Sequence, residues 1–232
     1  MSVNERHFCM CITPDNLSEA DKKRLAGHKA ALLNAAQWDA GSVITVRFLE
    51  GDAGLQSRVR QAAEHWTKPG MANLTLDFRN QGPTDIRIAF QQGNGSWSHL
   101  GTMCRQIPEP QPTMNYGWLT PASPDDVLQR VVLHEFGHAL GLIHEHQNPK
   151  GAINWNRDAV IRDLSGPPNN WDLAKIEHNM FRKYEDVTAT NADSTSIMMY
   201  PIPKAWTLDG FSAGLNGSLS QDDRDLIRSV YP

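Results

Sequence analysis

Five residues in the stretch 131–146, VVLHEFGHALGLIHEH, have types and spacing able to do hydrolytic chemistry at a metal. They are His134, Glu135, His138, Gly141 and His144, in the pattern H-E-x-x-H-x-x-G-x-x-H. Residues four apart on an α-helix lie about 40° apart around the axis and about 6 Å along it, so His134 and His138 can present imidazoles to one cation. Zinc takes imidazole nitrogen at about 2.0–2.1 Å, and a catalytic site keeps three protein ligands plus an open position for water. Glu135, one residue past the first imidazole, reaches that water as a general base.

His144 can join only if the helix stops. In an unbroken helix it would sit about 9 Å beyond His138 and about 120° away around the axis. Gly141 offers the positive φ at which helices most readily end, letting the chain turn and bring His144 back beneath the metal. A buried helix that merely carries histidines is the competing reading, and the coincidence of all five fixed positions argues against it.

The extended motif resembles that of the metzincin metallopeptidases. His144-Glu145, followed later by Ser196-Ile197-Met198-Met199-Tyr200, is most similar to the astacin branch, which carries S-x-M-x-Y after its zinc helix. The resemblance is firm over residues 127–201 and extends by order of elements from Val43 to the C-terminus. It implies one catalytic Zn2+ on His134, His138 and His144, with Glu135 catalytic. Met198 becomes the Met-turn residue under the metal, and Tyr200 a displaceable further ligand able to stabilise the oxyanion. Met199 stands where astacins often have His. Glu145 would pair with a processed N-terminus, as in mature astacins, or make a local hydrogen bond or salt bridge.

The elements that must position these groups are legible around the motif. Residues 43–49, VITVRFL, read as a strand, and Val59, Ala62, Ala63 and Trp66 recur at helical spacing after Leu55, leaving His65 on the surface. Leu74, Leu76 and Phe78, then Ile86, Ile88 and Phe90, alternate as strands. Strand, helix, strand, strand is the order of a mostly parallel sheet with a covering helix. Residues 113–119 read as a last strand before the zinc helix, which has Ser123 as its expected N-cap and Pro124 at its first position. Helices are expected over residues 18–41, 155–164 and 170–181, and a final one capped by Ser220 and Asp223.

The expected fold is α+β, a metzincin-like two-lobed single domain. Its N-terminal lobe holds a mostly parallel twisted sheet with an antiparallel edge strand and two covering helices. Its irregular C-terminal lobe ends in a helix. Residues 1–41 form a helical extension, 42–144 the upper lobe and 145–232 the lower lobe. An extended polypeptide substrate is expected along the edge strand, from Ser96 through Met103, with His99 and His178 as surface residues.

Composition narrows the partners. A net charge of −4 without a basic run favours neither nucleic acid nor an anionic membrane. No apolar run resembles a signal peptide or membrane span, so a soluble monomer is expected, cytoplasmic or exported by a route not visible here. Three cysteines make no even framework. Cys11 opens C-x-x-P-D, distantly similar to the cysteine-switch segment of matrixin propeptides, but the preferred reading is a buried or free surface thiol; Cys9 and Cys11 are too close to bridge.

The function these features imply is a zinc-dependent endopeptidase cutting internal peptide bonds. A non-catalytic effector or toxin module with structural zinc would be closed by four ligands and would not need Glu135. An exopeptidase or amidase on small substrates would need a charged anchor for a terminus, and none is evident.

Overall fold

The computed structural model describes residues 8–12, 36–149, 151, 153–183 and 192–232. Its strands are β1 (Met10–Ile12), β2 (Val43–Phe48), β3 (Thr75–Phe78), β4 (Ile86–Ala89), β5 (Ser96–His99) and β6 (Met114–Tyr116). Its α-helices are α1 (Ala53–Ala63), α2 (Asp125–Ala139), α3 (Arg157–Ser165), α4 (Leu173–Ile176) and α5 (Gln221–Val230). The six strands form one sheet in the order β1-β5-β6-β4-β2-β3. Among the described strands only the β5–β6 pair is antiparallel.

The alternation in β2 buries Ile44 and Val46 completely, and β4 buries Ile86 and Ile88 beside them. Helix α1 starts where the Asp52 side chain accepts the Leu55 amide, meeting a donor the helix leaves unpaired. It then lays Leu55, Val59, Ala62 and Ala63 on the core, while His65 stays exposed and Trp66 is fully buried. The Trp66 indole donates to the Leu133 carbonyl at 3.0 Å, tying the α1 segment to α2. Together α1 and α2 cover the sheet and bury the larger core. A second apolar cluster, including Val160, Leu164, Ile176, Tyr200, Ile202 and Trp206, gathers the elements that follow α2.

Four expectations change. Helix α2 is capped at Pro124, because the Ser123 hydroxyl instead accepts the Thr120 amide and closes a turn. The strand expected through Met103 ends at His99 and passes into a 3-10 turn over Gly101–Gln106. The helix expected over 170–181 is divided into α4 and a π-helical turn, Glu177–Phe181. His99 is buried rather than on a rim, with its Nδ1 atom unpaired. Most of the helix expected from Ser18 lies outside the described residues, as do Pro14 and Asp15 of the C-x-x-P-D segment.

Strand β1 has no sequence signal of its own. It pairs in parallel with β5, Met10 opposite Trp97 and Ile12 opposite His99, along the edge expected to be open. Among the described residues no helix is long and apolar enough to cross a membrane.

Candidate active site

Helix α2 carries His134, Glu135 and His138 on its buried face, and ends in a Schellman turn that the sequence encodes through Gly141. This glycine has φ +97°, a conformation costly for any residue with a Cβ. The Leu142 amide donates to the Gly137 carbonyl and the Gly141 amide to that of His138, as the motif requires. Two further carbonyls at this end are met by side chains: Trp38 Nε1 donates to Ala139 and the Tyr231 hydroxyl to Leu140. The break therefore leaves none of these four carbonyls unpaired, and the chain turns back so that His144 faces His138.

Each imidazole is oriented by an acceptor at Nδ1. His134 Nδ1 lies 2.8 Å from the Ile197 carbonyl, His138 Nδ1 2.7 Å from that of Leu142, and His144 Nδ1 3.1 Å from Gln147 Oε1. The Gln147 amide is itself fixed, since its Nε2 donates to the His178 carbonyl. Carbonyl oxygens only accept, so the proton sits on Nδ1 and Nε2 is left bare. Three ligand atoms thus gather within 4.8 Å of one another. The Nε2 atoms of His138 and His144 are 3.1 Å apart, close to the roughly 3.3 Å that two tetrahedral zinc ligands would span. Two bare lone pairs at that distance repel unless a cation lies between them, so the residues present fit zinc. Burial holds the histidines neutral, with His134 lowered to about 4 and His138 and His144 well below the ordinary imidazole range.

Glu135 is fully buried beside this cluster, and neither of its oxygens meets a hydrogen-bond partner of full geometry. Burial pushes its carboxyl well above the usual range, and the neighbouring Cys9 thiol offsets part of that. Met198 lies under the helix. A Cβ built on Gly137 would come 2.3 Å from the Met198 sulfur, so this glycine is what admits the methionine. The turn beneath is held by Asp223, whose carboxylate accepts the Ser196 hydroxyl at 2.6 Å and the Ile197 amide at 2.8 Å while also accepting the Ser220 amide at the start of α5. Tyr200 packs its ring 4.2 Å from His144 and 4.7 Å from His146, and its hydroxyl donates to the Cys9 carbonyl.

The sequence profile of the astacin peptidase family matches residues 32–207. The chain belongs to the astacin family. It is 28% identical to Protein SpAN of Strongylocentrotus purpuratus over 96% of this chain and 36% of that protein. It is 26% identical to zinc metalloproteinase dpy-31 of Brugia malayi over 84% and 32%. The chain thus spans about a third of the length of these curated relatives. Among solved structures, myroilysin superposes with a TM-score of 0.83 at 41% identity, covering 86% of this chain and 97% of that one.

Several features of this astacin have no counterpart in the motif. Gly137, Gln147 and Asp223 orient the site, and only Gly137 carried a hint, as a glycine inside an otherwise strong helix. Glu145 makes local bonds, accepting from the Asn148 side chain and the Asp193 amide. The C-x-x-P-D cysteine, Cys11, packs in a small apolar cluster with Ala36, Leu100 and Met103. It is Cys9 that lies beside Glu135, and its sulfur, like that of Cys104, is a free thiol.

Gly137→Ala should lower stability by about 1–2 kcal/mol, because overpacking against Met198 outweighs the better helix propensity of alanine. Urea denaturation measures this, and chelator competition should show weaker zinc binding. His99 and His134 are each held at about 4 by burial, below the unfolded value of about 6.5. The unfolded chain therefore binds more protons between those values, and metal-free stability falls as pH drops from about 6.5 to about 4. The loss is on the order of 3 kcal/mol per histidine, to be read from denaturation curves across that range.

Proposed function

We propose that this chain is a zinc-dependent endopeptidase, with His134, His138 and His144 as the ligands and Glu135 as the catalytic carboxylate. The observation that carries the reading is the convergence of three bare Nε2 atoms beside a buried carboxyl that no ion pair or well-formed hydrogen bond among the described residues engages. A structural zinc site has no use for that carboxyl, whose desolvation destabilises the fold.

Zinc on these imidazoles supplies Lewis acidity, bringing the pKa of a coordinated water to about 7 and polarising the scissile carbonyl. Glu135 takes the proton from the attacking water and returns it to the leaving amine. Burial, which raises its carboxyl pKa, makes the carboxylate a stronger base toward that proton. Tyr200 donates a hydrogen bond to the carbonyl oxygen as negative charge develops there. Its hydroxyl already donates to a main-chain carbonyl in this position, that of Cys9. The apolar residues above and below, Val131 and Met198, keep water away from the reacting groups.

The substrate is an extended polypeptide lying along β5 between an upper lobe, residues 42–144, and a lower lobe, residues 145–232. Residues 8–12 occupy that track here, so they must leave for a substrate to enter.

Glu135→Gln should reduce cleavage of a quenched peptide at least about 10³-fold while retaining zinc. It should also raise metal-free stability at neutral pH by about 1 kcal/mol or more. The folded pKa of Glu135 is raised, so the folded state is penalised as pH climbs above the unfolded value of about 4.5, and the amide removes that penalty. Cleavage that survives this change, or survives chelation, would refute the mechanism. Tyr200→Phe should keep zinc and lose about 10²-fold in kcat with little change in KM; equal rates would remove the tyrosine from catalysis.

A further inference from the structure

His144 differs from the other two imidazoles of the cluster in lying past the end of α2. Helix geometry places His134 and His138, whereas His144 is placed by the loop that follows it. That loop turns through Glu145–Gln147 and is closed by two backbone bonds, from the Asn148 amide to the Glu145 carbonyl and from the Gly151 amide to the Asn148 carbonyl. Three of its carbonyls then converge on one atom from a distant part of the chain. Lys183 Nζ donates to the oxygens of His146 at 2.7 Å, Asn148 at 3.0 Å and Gly151 at 2.5 Å.

An ammonium has three N–H donors and no acceptor, so each donor meets one carbonyl. A neutral amine has only two, hence this cage holds the charged form. Burial lowers the pKa of Lys183, and the neighbouring Glu145 charge works against that. Charge-assisted bonds are about twice as strong as neutral ones, and rings of backbone carbonyls hold K+ in the same way.

The segment that supplies Lys183 also holds side chains of the loop. Just before the lysine, the π-helical turn Glu177–Phe181 offers the His178 carbonyl to Gln147 Nε2 and the Asn179 carbonyl to His146 Nε2, each at 2.7 Å. Gln147 is thereby pinned at its nitrogen, while its Oε1 accepts the His144 Nδ1 proton. Two of the three carbonyls on Lys183, those of His146 and Asn148, belong to the residues that flank Gln147. The ammonium therefore fixes the backbone from which the orienting amide is hung.

We propose that Lys183 is a positioning residue of the metal site, a tethered cation that holds the backbone on both sides of Gln147 and so aims His144 Nε2 at the metal. The role rests on the zinc endopeptidase reading for the ligand set, and on the three carbonyl contacts for its chemistry. Removing the side chain in Lys183→Ala leaves three converging carbonyl oxygens, a site for a free monovalent cation such as ammonium or K+.

The test uses the full chain, with zinc affinity read by chelator competition beside cleavage of a quenched peptide. Lys183→Ala and Gln147→Leu should each weaken zinc binding by about 10- to 100-fold, as loss of a group that orients a ligand does. Together they should lose little more than the larger single change, because both act through the same hydrogen bond to His144. Ammonium or K+ should restore most of the affinity of Lys183→Ala. Tetramethylammonium, too large for the cage, should restore none, and wild type should respond to none of the three. Unchanged zinc affinity in Lys183→Ala, additive losses in the double variant, or equal effects of the small and large cations would overturn the role. Where Lys183→Ala folds poorly, its Tm replaces affinity: ammonium or K+ raises it and tetramethylammonium does not, and a Tm that ignores all three overturns the cage. If zinc affinity behaves as expected and wild type cuts no peptide, the positioning role stands and the endopeptidase reading fails. If wild type cuts peptides and Lys183→Ala keeps its zinc affinity, the endopeptidase stands without the lysine.

Discussion

The structure depends on three hydrogen bonds that fix three protons. By holding Nδ1–H on His134, His138 and His144, the acceptors at Ile197, Leu142 and Gln147 strip the opposite nitrogens and aim them at one point. The acceptors come from three different places: the turn beneath the site, the break after Gly141, and the short 3-10 turn Glu145–Gln147. No single element can assemble the cluster. Much of the chain after α2 serves to bring those acceptors within reach, and it buries both the histidines and Glu135 in doing so. The same burial that keeps the imidazoles neutral raises the carboxyl beside them, so the three histidines and Glu135 are tuned by one physical cause.

The chemistry of the site was more legible in the sequence than its support. Two ligands follow from helix period and the third from a glycine that ends the helix, because each depends on spacing over a few residues. The upper-lobe strands follow from alternation, as at Leu74, Leu76 and Phe78. Gln147 and Asp223 act across the fold, and nothing local at either position distinguishes them from a surface amide or a helix-capping acid. Ser123 shows the opposite failure: its local signal is a good cap, but a competing turn uses the hydroxyl first. His99 looks like a rim residue in a polar run and is buried because β1 covers the strand that carries it. Strand β1 is too short a pattern to predict, and its place is set by pairing with β5.

The N-terminal strand also changes what the cleft says about itself. It pairs with β5 in the parallel sense and brings Cys9 beside Glu135. Phe8 packs against Tyr200 next to it, so the N-terminal strand covers the face of the histidine cluster on which both Glu135 and Tyr200 lie.

The attachment of Asp223 to Ser196 and Ile197 has a consequence for biosynthesis. The loop that supports the metal from below is anchored by a residue of α5, the last helix to be made among those described. Until that helix leaves the ribosome, the polypeptide already carries all three imidazoles and Glu135 but lacks the carboxylate that sets the floor beneath them. Completion of the floor beneath the three histidines thus waits for the emergence of α5.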